Sequence, residues 1–341
     1  MEIKAVDTRY KKVWDEIVDN SQNGTICHKW EWLGIMCKHS KAKQAGKSSG
    51  CRLYPLMGFV DDEAVAILPV FYYKTAFGLA FSPPVGVGIT RLGPVLKNYG
   101  NQRQRKKERI LEDFIKSANR FICTELKPSA INIKTSPGFD DPRPFIWSGY
   151  EVGPLFDYIF DLTLGEENLF SGIDKKTRQN INRGGRSGLK FSEGGKKDIE
   201  FIWETATNRY AEQDIDFSVT LEYLQDLYEK FPQNLKVFTV KEDGRIVNGS
   251  LDICYKDRVS LWIGNTKIEN TNPTANDFLN WEIIRWACRN GYRSCENIWA
   301  NDERLCAYKS KFNPVLSPYF SVEKNSFFYS LMKKLKYGLH R

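Results

Sequence analysis

The chain has 341 residues, 41% of them hydrophobic and 13% aromatic, and its 50 basic and 42 acidic side chains give a formal net charge of +8. That is enough chain for two domains, each with its own core. No uncharged apolar run approaches the roughly 18 residues of a membrane span, and the charged opening MEIKAVDTRYKKVWDEI has no apolar secretion signal. A cytoplasmic protein is expected.

The eight cysteines (27, 37, 51, 123, 254, 288, 295 and 306) are scattered and never take C-x₂-C spacing, so reduced thiols are expected and no metal site. With three histidines, a triad or a histidine-rich centre has few candidate members.

In chain order, Leu53–Val60, the polar turn Asp61-Asp62-Glu63 and Ala64–Tyr73 predict a β-hairpin. A helix follows over 101–125, its apolar stripe Ile110, Leu111, Phe114, Ile115, Ala118, Phe121 and Ile122 leaving Arg103, Arg105, Lys106, Lys107 and Arg109 at a solvated start. A strand is expected at Ala130–Lys134. Helices are expected over Glu166–Gly188 and Lys197–Lys230. Strands then recur at Leu235–Lys241, Ile246–Cys254 and Val259–Gly264, with a hairpin turn at Asp243-Gly244. A helix capped at Asn272-Pro273 runs to Gly291, and a strand over 294–299 turns at Asn301-Asp302-Glu303. Hairpin, helix, strand thus occurs twice. The expectation is an α/β fold with two mixed, largely antiparallel sheets, divided into 1–150, 151–325 and a basic amphipathic tail over 326–341.

Three segments carry a resemblance: ICHKWEWL at 26–33, KKTRQNINRGGRSGLKF at 175–191, and the helix-Gly-strand-Tyr-Lys-x₂-Phe ending within 264–313. On these the chain resembles the Fem-type peptidyltransferases and the related BioF2-like acetyltransferases, proteins built from two tandem GNAT-like domains. It departs from them in lacking a long helical-hairpin insertion, in having Asn313 where the family has glycine, and in lacking the Gln/Arg-x₂-Gly-x-(Gly/Ala) loop of ordinary GNAT enzymes.

The resemblance implies an N-acyltransferase taking acyl-CoA or aminoacyl-tRNA as donor and an amine as acceptor, on a small molecule or a cell-envelope or sugar-linked precursor. It implies a role for Lys309 near the acyl carbonyl or the donor phosphate, and a fixed cation would stabilise the oxyanion of aminolysis. Tyr308 and Phe312 would exclude water, and Arg178, Arg186, Trp262, His28 and Trp32 would contact substrate. Arg178, Arg183 and Arg186 also form a cationic helix suited to phosphate or carboxylate, with Gly184-Gly185 inside it suggesting a close approach of backbone or ligand. Asp252, Glu296 and Asp302 are the candidate bases. The tail's Phe327, Phe328, Leu331 and Met332 beside Lys333, Lys334, Lys336 and Arg341 would suit peripheral contact with a membrane. The contrasting reading is a non-catalytic module of the same fold that holds RNA, nucleotide-sugar or anionic lipid.

Overall fold

A computed structural model describes residues 1–44, 47–264 and 272–338. The chain forms two compact units, Met1–Leu155 with Pro318–Arg341, and Phe156–Ser317. The first (unit 1) contains β1 (Glu2–Ala5), α1 (Lys11–Asn20), α2 (Trp30–His39), β2 (Lys41–Gln44), β3 (Lys47–Val60), β4 (Glu63–Tyr73), β5 (Leu79–Ser82), β6 (Val95–Leu96), α3 (Gln104–Phe121), β7 (Ala130–Lys134) and α4 (Arg143–Trp147). From β8 (Glu151–Asp161) the chain enters unit 2, with α5 (Glu166–Gly172), α6 (Lys175–Arg186), β9 (Lys190–Glu193), α7 (Lys196–Ala211) and α8 (Leu221–Lys230). Then come β10 (Leu235–Glu242), β11 (Arg245–Tyr255), β12 (Arg258–Gly264), α9 (Ala275–Arg289), β13 (Ser294–Asn297) and α10 (Glu303–Lys309). β14 (Val315–Asn325) and α11 (Phe327–Gly338) return to unit 1.

The two hairpins are made the same way. Asp61 and Asp62 (φ 49° and 63°) turn β3 into β4, and Asp243 and Gly244 (φ 49° and 81°) turn β10 into β11. Two successive left-handed residues match the right-handed twist of the strands they join, and aspartate tolerates that conformation better than most residues. Each hairpin also carries a register shift close to its turn, at Gly58/Phe59 and at Val240/Lys241.

Strand order repeats as well. Unit 1 runs β1-β3-β4-β5-β7-β14 and unit 2 runs β9-β10-β11-β12-β13-β8, with β5∥β7 and β12∥β13 parallel and the other neighbours within each unit antiparallel. A helix crosses between the parallel strands in each case, as parallel pairing requires. The last strand of each unit is supplied by the chain that leaves the other unit's fifth strand. Residues 318–325 therefore pair in unit 1, where the sequence grouped them with 151–317.

In unit 1, Leu111, Phe114, Ile115 and Ala118 of α3 bury themselves against Ile131, Ile133 and Val322. Arg103, Arg105, Lys106 and Arg109 stay exposed at the helix start, and Lys107 lies over the Tyr99 ring at 5.4 Å. In unit 2, Phe278, Leu279, Ile283 and Ala287 of α9 cover Phe238, Val259, Leu261 and Cys295.

Three expected boundaries move. The helix expected over 166–188 breaks at Ile173-Asp174, where the Asp174 carboxylate accepts the Lys176 and Thr177 N–H groups and starts α6 afresh. The one expected over 197–230 ends at Ala211, Asp214 turns left-handed (φ 54°), and Thr220 caps α8 by accepting from Tyr223 N–H. Asn272 does take a capping role, but its carboxamide serves Thr274, so α9 begins at Ala275. Asn313 is left-handed (φ 58°), which accounts for asparagine at a position where glycine is otherwise used.

The paired glycines of α6 answer to packing. A Cβ on Gly184 would sit 3.1 Å from Thr274 Oγ1 and 3.2 Å from Phe278 Cβ, so this glycine lets α6 lie close on α9. Gly185 has only Phe278 Cε2 at 3.8 Å. Gly185→Ala is therefore expected to raise unfolding free energy by about 0.5–1 kcal/mol through helix propensity. Gly184→Val should lower it by about 1–3 kcal/mol through overpacking. Urea titration of both variants checks the pair.

Candidate acyl-transfer site

β12 and β13 are in register from Arg258↔Ser294 to Leu261↔Asn297, and then they part. β12 continues to Gly264, while the other strand ends at Asn297 and turns away through Ile298 and Trp299. Trp299 is left-handed (φ 69°) and gives its N–H to the buried Asp157 carboxylate at 2.5 Å. Ala300 N–H donates to Phe156 O at 2.8 Å, and the Asn301 carboxamide bonds both the N–H and the C=O of Phe156. On the far side of β12 the register with β11 slips between Leu251 and Asp252, and Trp262 N–H turns to Asp252 Oδ1 at 3.1 Å. A parallel pair that parts at its carboxyl end leaves a gap into which an extended, amide-bearing ligand can be laid.

Lys309 sits at the exit from β13. Asp302 caps α10 by accepting from Leu305 N–H, and two turns later the Lys309 ammonium donates to the carbonyls of Ile298 and Trp299. Burial pushes its pKa down to about 8, against the opposing pull of Asp157, Cys306 and Asp302. An ammonium has three N–H donors and two are used, so one remains for a ligand oxygen.

Tyr308 turns the other way, into the packing of α9. Its hydroxyl donates to Asp277 Oδ1 at 3.0 Å and accepts from the Asn280 carboxamide at 3.0 Å, while Asn180 of α6 donates to Asp277 Oδ2 at 2.7 Å. Phe312 is buried and meets the Tyr308 ring edge-on at 5.9 Å. Lys311 lies over the outer side of the same ring at 5.8 Å.

The remaining residues predicted to touch substrate make contacts of their own. Trp262, on β12 beyond its pairing with β13, is half-buried and edge-on to Tyr223 of α8 at 6.2 Å. The Arg178 guanidinium is tied to the Ser171 carbonyl and Arg186 is exposed at the end of α6. His28 and Trp32 are fully buried in unit 1. The His28 ring meets the N–H and hydroxyl of Thr25, and its own carbonyl accepts the Trp14 indole N–H at 2.6 Å. Their placement is that of core anchors for the start of α2.

Among the three candidate bases, Glu296 is buried and engaged by Ser260 Oγ at 2.8 Å and Arg258 at 3.5 Å, and Asp302 serves as a helix cap. Asp252 differs. It is fully buried, Ser250 Oγ–H (2.6 Å) and Trp262 N–H both go to Oδ1, and Oδ2 has no hydrogen-bond partner among the described residues. Burial pushes its pKa up to about 7. Neither this isolation nor the role of Asp157 shows in the sequence, because no spacing rule links residues on different strands.

Unit 1 has a cleft of its own, about 420 Å³, beside its parallel strands β5 and β7. Phe81, Pro83, Val85 and Tyr329 supply apolar wall, and Lys134 and Glu323 supply charge.

Residues 174–310 match the family model described as an acetyltransferase (GNAT) domain. No curated protein sequence matches the chain. Of the solved structures, FemX is 13% identical, with 94% of this chain and 97% of FemX covered at a TM-score of 0.67. The C-terminal domain of a putative lysylphosphatidylglycerol synthetase from Agrobacterium fabrum is 15% identical, covering 95% and 94% at 0.56. A tandem GNAT protein from the clavulanic acid biosynthesis pathway is 10% identical, covering 95% and 98% at 0.50. The matched segment defines a GNAT-type domain over 174–310. Over the rest of the chain the likeness to FemX and to the tandem GNAT protein is one of fold.

The Asp252 carboxyl generates a test of how the gap is built. Its folded pKa of about 7 lies above the ordinary 3.8, so the folded state holds the extra proton between those values. The stabilisation is complete below the lower value and is lost as pH rises through the upper one. Asp252→Asn cannot ionise. Between pH 5 and pH 8, the wild type should lose on the order of 3 kcal/mol of stability relative to this variant. Parallel stability–pH curves from urea unfolding would show that the carboxyl is solvated instead.

Proposed function

We propose that this protein is an N-acyltransferase that moves an acyl or aminoacyl group from coenzyme A or transfer RNA to the amine of a small molecule or of a cell-envelope or sugar-linked precursor. The observation that carries this reading is the parting of β12 and β13 with the Lys309 ammonium fixed at its edge. The donor's acyl arm would lie along the gap. The acceptor amine would attack the acyl carbonyl, and the oxyanion would take the third Lys309 N–H. Collapse would form the amide and expel the thiolate or alkoxide of the donor, which takes up the proton lost by the amine. Little covalent work falls to the protein, and positioning supplies most of the rate.

Both donors remain in this proposal. The matched GNAT domain supports acyl-CoA, and the likeness in fold to FemX and to a lysylphosphatidylglycerol synthetase domain supports an aminoacyl donor and an acceptor of the envelope. Among the described residues no helix is long and apolar enough to cross a membrane. Phe327, Phe328, Leu331 and Met332 of α11 are nonetheless exposed, Phe327 by 87%, and Lys333, Lys334 and Lys336 follow them in sequence. Contact of this helix with an anionic membrane surface is part of the proposal; His340 and Arg341 lie outside the described residues.

The test is transfer of label from radiolabelled acetyl-CoA, and separately from aminoacyl-tRNA, to a panel of amines that includes nucleotide-linked amino sugars. Lys309→Met should cut turnover by about 10²-fold or more, the scale of one lost oxyanion donor, with a much smaller effect on substrate affinity. Lys311→Met, on the exposed side of Tyr308, should retain activity. Because the oxyanion role needs the ammonium, kcat of the wild type should fall as pH rises through about 8. Equal small losses in both variants would remove Lys309 from the chemistry. Binding of RNA or nucleotide-sugar without transfer from either donor would favour the non-catalytic module.

A further inference from the structure

Cys37 lies in the last turn of α2 and Cys51 lies in β3, and their sulfur atoms approach to 2.8 Å. Each thiol also meets the other residue's backbone carbonyl, Cys51 Sγ to Cys37 O at 3.0 Å and Cys37 Sγ to Cys51 O at 3.4 Å. The two side chains are thus aimed at each other from different elements, and neither residue is fully buried. We infer that Cys37 and Cys51 form an oxidisable pair whose disulfide clasps the end of α2 to β3.

The chemistry needs one co-reactant, a disulfide oxidant such as glutathione disulfide. The hydrogen bond from Cys51 holds the Cys37 thiol below its usual pKa, and the same bond holds the Cys51 thiol above its own. Cys37 is therefore the attacking thiolate. It displaces one glutathione and forms a mixed disulfide, and Cys51 then attacks the Cys37 sulfur and releases the second. The products are one internal disulfide and two glutathione thiols, with the two thiol protons passed to the departing sulfurs.

The clasp bears on the cleft of unit 1. Ser40, three residues after Cys37, caps α2, and its hydroxyl donates to the Val85 carbonyl at 2.5 Å while sharing a 2.5 Å hydrogen bond with the Tyr73 hydroxyl. Val85 N–H donates back to that Tyr73 hydroxyl at 3.0 Å. Tyr73 in turn sits opposite Cys51 in the β3–β4 register. Val85 lines the cleft, so fixing the end of α2 to β3 fixes this wall as well.

The experiment incubates the full chain in glutathione disulfide and glutathione mixtures, quenches with acid, blocks free thiols with N-ethylmaleimide and maps unreduced peptides by mass spectrometry. The expected result is a Cys37–Cys51 cross-link that grows with the oxidised fraction and is absent from Cys37→Ser and from Cys51→Ala, with the other six cysteines alkylated. The oxidised wild type should melt above the reduced protein, because the cross-link restricts the unfolded chain; neither variant should show that shift. Full alkylation of both cysteines at every ratio, in protein shown folded by circular dichroism, would overturn the pair. A cross-link without any change in melting would overturn the clasp.

Discussion

The exit from β13 is held by a buried carboxylate and a partly buried ammonium. Asp157 takes the Trp299 N–H, and Lys309 takes the carbonyls of Ile298 and Trp299, so a left-handed residue that would be unstable alone is gripped from both sides. Removing either side chain leaves backbone N–H or C=O groups without their partners, which typically costs about 1–3 kcal/mol. The direction in which the strand leaves the sheet, and hence the gap beside β12, depends on this grip. In the proposed reaction, the ammonium that holds this exit is also the one that would meet the oxyanion.

The neighbouring helices keep that arrangement in place. Asp277 collects hydrogen bonds from Tyr308 of α10 and Asn180 of α6, so three helices meet at one carboxylate. Asn248 of β11 donates to Asn276, which ties the start of α9 to the sheet. Satisfied buried polar groups of this kind fix geometry more than they add net stability, because each alternative packing would leave one unpaired. The glycine at 184 belongs to the same design, since it lets α6 come close enough for Asn180 to reach.

The repeated strand order gives each unit a parallel pair with a helix crossing between its strands. The surroundings of the two pairs differ. Unit 2 presents a lysine fixed by backbone carbonyls, whereas unit 1 presents prolines, aromatic rings and the charged pair of residues Lys134 and Glu323. Electrostatically these are different environments built on one topology, as expected when function resides in side chains placed on a shared fold.

Much of the framework was legible in the sequence by itself. The hairpins at 53–73 and 235–254, the helices expected over 101–125 and 273–290 and their order followed from turn residues and apolar spacing, which are properties of near neighbours in the chain. Lys309 was singled out through the family resemblance and its setting after a strand and beside Tyr308. The fates of other polar residues were decided by tertiary structure: His28 became a core cap, Arg178 was spent on a carbonyl, Asp252 lost its water, and Cys37 met Cys51 across two elements. Desolvation and pairing depend on what packs against a group from distant parts of the chain, and no local pattern carries that information.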